Sequence, residues 1–133
     1  MKITVSDQSK YINVGSPSFL YAFFSTIVCK VPANANTSVG INFLKTGAIS
    51  AAECEACAKS FEGIRKELSA FPPSEIIWNK EEPSQQPPWG DNISSHITSL
   101  GNYFVTADGK DLISELILLL QYASEHNLNV YVG

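Results

Sequence analysis

The sequence predicts an α+β fold, a single layer of about five mostly antiparallel strands packed with three helices. Three observations carry this reading. Short segments rich in β-branched and aromatic residues stand at both ends of the chain, "KITV" and "KYINV" at the start and "LNVYV" at the close. Three longer segments repeat apolar residues at three- and four-residue spacing, the period of one helix face. No internal repeat or linker divides the 133 residues, so residues 1–133 are expected to form one domain.

Lys2–Val5 reads as a strand and Lys10–Val14 as its hairpin partner. Ser16 then offers a hydroxyl to an unpaired helix N–H, and Pro17 at the first helical position loses nothing by lacking its own. Phe19, Leu20, Phe23, Phe24, Ile27 and Val28 follow at helical spacing, and Pro32 ends the run. "ANANTSVG", Ala33 to Gly40, is small and polar and reads as a loop. A second helix starts near Ser50, where Glu53 three residues on matches the capping-box pattern. Its apolar face is Cys57, Phe61, Ile64, Leu68 and Phe71, stopped by Pro72-Pro73.

"EIIW", Glu75 to Trp78, reads as a strand, followed by the acidic, proline-broken stretch Asn79–Asn92. "NYFVT", Asn102 to Thr106, reads as another strand, "ADG" as a turn, and Lys110 to about His126 as a third helix. Leu128–Val132 is the final strand. The expected order is β-β-α-α-β-loop-β-α-β.

Composition excludes several functions. The net charge is −4 and the nine basic residues are scattered, whereas direct nucleic-acid binding needs clustered Lys and Arg. The apolar run Leu116–Leu120 is far shorter than the ~20 residues of a membrane span. "MKITVSDQSK" lacks the apolar stretch of a secretory signal, and three cysteines form no disulfide framework. A cytoplasmic protein with no membrane partner is expected.

The chemistry-bearing residues form no catalytic set. Cys54 and Cys57 have the spacing of zinc or redox pairs, but no second pair follows, and they continue a helical apolar stripe as packing residues. His96 lies near Asp91, Asn92, Ser94 and Ser95 without a defined partner; His126 suits the last turn of a helix. Asp108-Gly109 has the look of a turn and Asp111 that of a helix N-terminus. No metal, cofactor or catalytic residue is expected.

The segment Asn79–Asn92 is longer than most connections. Pro83, Pro87 and Pro88 restrict its backbone, which lowers the entropy lost on binding. Trp89 is of the residue type most enriched in interface hot spots. Glu81, Glu82, Asp91 and Asn92 surround it with acceptors. Two readings stay open here: a binding loop, or a loop whose Trp89 folds back to plug the sheet and whose prolines block edge pairing.

A resemblance weighs on that choice. "EIIWNKEEPSQQPPWGDNISSHITSLGNYFVTADGKDLISEL", with "GSPSFLYAFFSTI" and more loosely "GAISAAECEACAKSFEGIRKEL", resembles a family of immunity proteins from bacterial polymorphic toxin systems. The most specific parts are "QQPPWGDNIS" and "NYFVT-DG-DL". The resemblance implies a small cytoplasmic α+β protein that blocks a toxin by binding it. Toxins of such systems are often nucleases, so a nuclease domain is the implied partner. It carries over no catalytic residues and leaves open whether "PPWGDN" contacts the toxin or holds the fold.

A basic toxin surface would be met by carboxylates, which steer encounter. Glu81, Glu82, Asp91 and Asp108, with Asn92 beside them and Trp89 as the apolar anchor, are the expected partner-binding residues. A second reading makes the protein a small ligand-binding protein or enzyme, with a pocket around Trp89, Asp91, Asn92 and His96. A third makes it an interaction module that pairs through a sheet edge.

Overall fold

The β1 (Lys2–Val5) and β2 (Tyr11–Asn13) strands form an antiparallel hairpin, as their alternation predicts. In the computed structural model, which describes residues 1–133, the last strand of the chain, β4 (Val130–Val132), pairs with the other side of β1. The two-residue β3 (Ala48–Ile49) pairs with β4, which completes a four-stranded antiparallel sheet of order β2-β1-β4-β3. The register sets Tyr11, Thr4, Tyr131 and Ala48 in one row across the sheet. Because strand side chains alternate, their neighbours Ile3, Val5, Ile12, Val130 and Ile49 point the other way and are buried.

Four helices accompany this sheet: α1 (Pro17–Lys30), α2 (Ser38–Thr46), α3 (Cys54–Leu68) and α4 (Leu112–Glu125). They and the sheet share one cluster of 29 buried apolar residues, with Phe23, Phe43, Phe61, Phe104 and Leu116 among its largest members. No helix is long and apolar enough to cross a membrane.

Local signals set the start of α1 and α4. The Ser16 hydroxyl accepts from the Phe19 N–H at 3.1 Å, with Pro17 at the first helical position. The Asp111 carboxylate accepts from the Ser114 N–H at 2.9 Å. α3 begins differently. The Ser50 side chain makes no cap bond, so the capping box expected with Glu53 does not form. A short 3-10 turn, Ala51–Glu53, precedes the helix, and its Ala51 N–H is satisfied from far along the chain by Asn129 Oδ1 at 2.9 Å. The stripe through Cys54, Cys57, Phe61, Ile64 and Leu68 is buried as expected, while Phe71 lies beyond the helix end and is only partly covered.

The sheet has four strands and the chain four helices, because two expected strands are absent while β3 and α2 form where none was expected. "EIIW" is not a strand: Pro73–Glu75 is a 3-10 turn, and Ile77 bonds a side chain in place of a neighbouring strand. The Thr26 hydroxyl donates to the Ile77 carbonyl at 2.9 Å and accepts from the Ile77 N–H at 3.1 Å. "NYFVT" makes only an isolated bridge between Val105 and Asp111, and the Phe104 carbonyl accepts from the Leu112 N–H at 2.9 Å. Both segments are apolar because they pack onto helices, and β-propensity reports burial as much as ladder formation.

The stretch read as a loop after Pro32 leads into α2. Gly40 permits close approach to α3, its N–H donating to Ser60 Oγ at 2.8 Å. Gly47, at φ 80, ends the helix in the left-handed conformation with its N–H on the Phe43 carbonyl.

Candidate functional surface

The segment from Ile76 to Asn92 is laid along α1 by side chains of that helix. Thr26 clamps Ile77, and the buried Ser25 hydroxyl accepts from the Lys80 N–H at 3.2 Å. At one end of the segment Lys30 pairs with Glu75 at 3.0 Å. Farther on, the Tyr21 hydroxyl donates to the Glu81 carboxylate, 2.6 Å from both oxygens, and Lys80 Nζ approaches the same carboxylate at 2.9 Å. The Glu81 N–H closes a small turn onto Asn79 Oδ1. The carboxyl of Glu81 is held below the usual glutamate range, first by the Tyr21 hydrogen bond and then by that of Lys80. The same contact pushes the Tyr21 hydroxyl up.

Trp89 sits on a turn closed by the Gly90 N–H on the Pro87 carbonyl, with Gly90 at φ 60 and Pro87 buried beneath. Its indole N–H donates to the Tyr103 hydroxyl at 2.9 Å. Its ring meets Trp78 edge-on at 5.3 Å and Phe19 of α1 at 6.2 Å. Phe19 in turn contacts Phe104, and Phe104 meets Phe23 edge-on, so an aromatic chain runs from the surface to the core. Yet Trp89 keeps 37% of its surface exposed. One side of this residue builds the fold and the other faces solvent.

The remaining sequence-predicted residues are exposed and less constrained. Glu82, Asp91 and Asn92 lie on the same segment, and no ion pair engages either carboxylate. Asp108 lies on a different turn, closed by the Gly109 N–H on the Thr106 carbonyl and tied to β2 through the Ala107 N–H and the Asn13 carbonyl. Between residues 76 and 109 stand four carboxylates against one lysine, so the surface formed by this stretch is acidic.

None of the five principal clefts is lined by Trp89, Asp91, Asn92 or His96. His96 is exposed, held through its backbone by Ser94 Oγ and Asn102 Nδ2, and its ring has no carboxylate within hydrogen-bond reach. Cys54 and Cys57 are buried within the α3 stripe; burial pushes both thiols up, that of Cys57 to about 12, which disfavours the nucleophilic thiolate.

Tyr21 is the surface residue that reading the sequence missed. It stands between Leu20 and Ala22 in an unbroken apolar run, which hides the fact that it lies off the core-facing line. The signal was its spacing from Phe24 and Val28, three and seven residues on, which marks a second helical line beside that of Leu20, Phe23 and Ile27.

Comparison with known proteins gives one family: the model described as Immunity protein 70 matches residues 3–132. No curated protein and no solved structure matches the chain.

Proposed function

The chain belongs to the Immunity protein 70 family, and on that premise we propose that it protects its cell by binding and neutralising the toxin encoded beside it. The partner is the toxin protein, in our reading a nuclease domain of a polymorphic toxin system, met in the cytoplasm. Residues 1–133 act as one domain, by covering the toxin and performing no reaction of their own. The observation that carries the reading is the family match over nearly the whole chain.

The acidic segment supports the mode of binding. A nuclease surface that receives nucleic-acid phosphates is basic, and Glu81, Glu82 and Asp91 would steer toward it. Asn92 adds hydrogen-bonding capacity, and the exposed part of Trp89 supplies apolar contact. Asp108 contributes a further negative charge from its own turn.

Co-expression tests this directly. A cell making the neighbouring toxin alone should die or stop growing, and a cell making both should grow. A toxin that stays fully lethal beside this protein refutes the reading. A protected cell containing toxin whose nuclease activity is nil when assayed alone would refute the nuclease assignment and leave the immunity function standing.

A further inference from the structure

α1 is apolar on more sides than the core requires. Leu20, Phe23 and Ile27 face inward and are buried, and Ser25 and Thr26 are buried where they bond the backbone of the 76–80 segment. A third line, Pro17, Tyr21, Phe24 and Val28, is spaced four, three and four residues apart, so it runs along one side of the helix. Tyr21 and Val28 are exposed at 38% and 37%, Pro17 is exposed, and Phe24 is partly so, its ring 6.4 Å from that of Tyr21. The first 13 residues of the helix carry no charge; Lys30 is the first. A helix apolar all round is ordinarily buried all round. Here the chain itself covers two sides and leaves the third open.

We propose that this outer line of α1 is the apolar centre of the toxin-binding surface, and that its occupant is a cationic patch of the toxin; the inference rests on the immunity function proposed above. The rim sets the sign of the partner. Glu81 is fixed against Tyr21, and Glu75 against Lys30. The two lysines beside this face, Lys30 and Lys80, are each already paired with a carboxylate, while Glu82 on the same segment has no ion pair. The rim is therefore negative, with Glu81 pre-positioned so that little side-chain freedom is lost on binding. Tyr is among the residue types that dominate interface energetics, and a tyrosine that also orients a carboxylate joins the apolar and charged parts of the contact.

The same rim argues against a second copy as the occupant. A two-fold contact sets the same patch on both partners, and would turn the carboxylates of one rim toward those of the other. The open face of the sheet is a different kind of surface. Its Tyr11 and Tyr131 are more exposed, at 56% and 46%, but Lys2 Nζ stands over the Tyr11 ring at 4.4 Å, so this face presents positive charge. It does not suit a cationic partner and serves as the control.

The test uses the full chain and the toxin domain encoded beside its gene, with affinity and association rate measured over a range of salt. Val28→Glu and Tyr21→Ser alter exposed positions, and circular dichroism and thermal melting establish that each variant folds. Each is expected to weaken toxin binding about thirtyfold or more, the scale of a hot-spot residue. Glu81→Gln should slow association and flatten its salt dependence. Tyr11→Ser and Tyr131→Ser should bind as the unaltered chain does. Folded Val28→Glu and Tyr21→Ser proteins that bind with unchanged affinity would overturn the inference, and so would a free protein that light scattering shows to be a dimer split by Val28→Glu. Failure of the unaltered chain to bind the toxin at all is a separate result, and it would remove the immunity reading together with this one.

Discussion

The Trp89 indole N–H donates to the Tyr103 hydroxyl at 2.9 Å, which ties the tip of the proline-rich segment to a residue that is only 4% exposed. Burial pushes the Tyr103 hydroxyl up, and the bond from Trp89 partly offsets that. Trp89→Phe keeps most of the ring contact with Trp78 and Phe19 but leaves the Tyr103 oxygen without this donor. A loss of about 1 kcal/mol in folding stability is expected, the net worth of one such bond. Trp89→Ala also removes the ring packing and should cost about 3 kcal/mol. Urea denaturation compares the two. Equal stability of both variants and the unaltered chain would mean that Trp89 has no part in holding the fold.

The Glu81 carboxyl is depressed by its bonds from Tyr21 and Lys80. A folded-state value below the unfolded one stabilises the fold above the ordinary glutamate range, and that contribution is lost as pH falls through the folded value. Carboxyl NMR titration should place the Glu81 midpoint below that of a free glutamate. Tyr21→Phe should move it upward. A midpoint indifferent to that substitution would show that the Tyr21 hydroxyl does not hold the carboxylate in solution.

Thr26 stands in for a β-strand neighbour by bonding both the N–H and the C=O of Ile77. Thr26→Val preserves the shape of the side chain and removes both bonds, leaving two part-buried backbone groups without a partner. Destabilisation of about 1–3 kcal/mol is expected. Thr26→Ser keeps the hydroxyl and should cost less. Hydrogen exchange offers a local readout, because the Ile77 amide should lose protection in the valine variant and keep it in the serine variant. Unchanged exchange at Ile77 in Thr26→Val would rule out the clamp.

Asn129 caps the entry to α3 from 78 residues away, its Oδ1 accepting from the Ala51 N–H. Asn129→Ala should cost about 1 kcal/mol, as the loss of other helix caps does. Ser50→Ala should cost much less, since the Ser50 side chain makes no cap bond. Thermal melts of the two variants would reverse this assignment if Ser50→Ala proved the more damaging.

Much of the candidate surface was visible in the string of residues. The acidity of the 76–92 stretch, its prolines and its tryptophan are properties of composition, and the structure finds Glu81, Glu82, Asp91 and Asn92 exposed along it. What could not be read was their company. Tyr21 lies 60 residues from Glu81 in sequence and in direct contact with it in space. Asp108 sits on a separate turn, bonded to β2 through the Ala107 N–H and the Asn13 carbonyl, a link the sequence does not announce.

The sequence by itself determined α1, α3, α4, the β1–β2 hairpin and the existence of a final strand β4, while the pairing of β4 with β1 belongs to the fold. Each rests on an apolar period of its own, and α1 and α4 also on a local cap, Ser16 or Asp111. Tertiary structure decided the rest. Glu75–Trp78 and Asn102–Thr106 have strand-like residues but no strand beside them, because a ladder needs a second backbone, and here the hydroxyl of Thr26 and the start of α4 took its place. β3 exists only because β4 lies next to it, and α2 because Gly40 and Ser60 let it settle on α3. A helix satisfies its own backbone within a few residues, whereas a strand or a clamped loop is satisfied from elsewhere in the chain, and only the folded arrangement says from where.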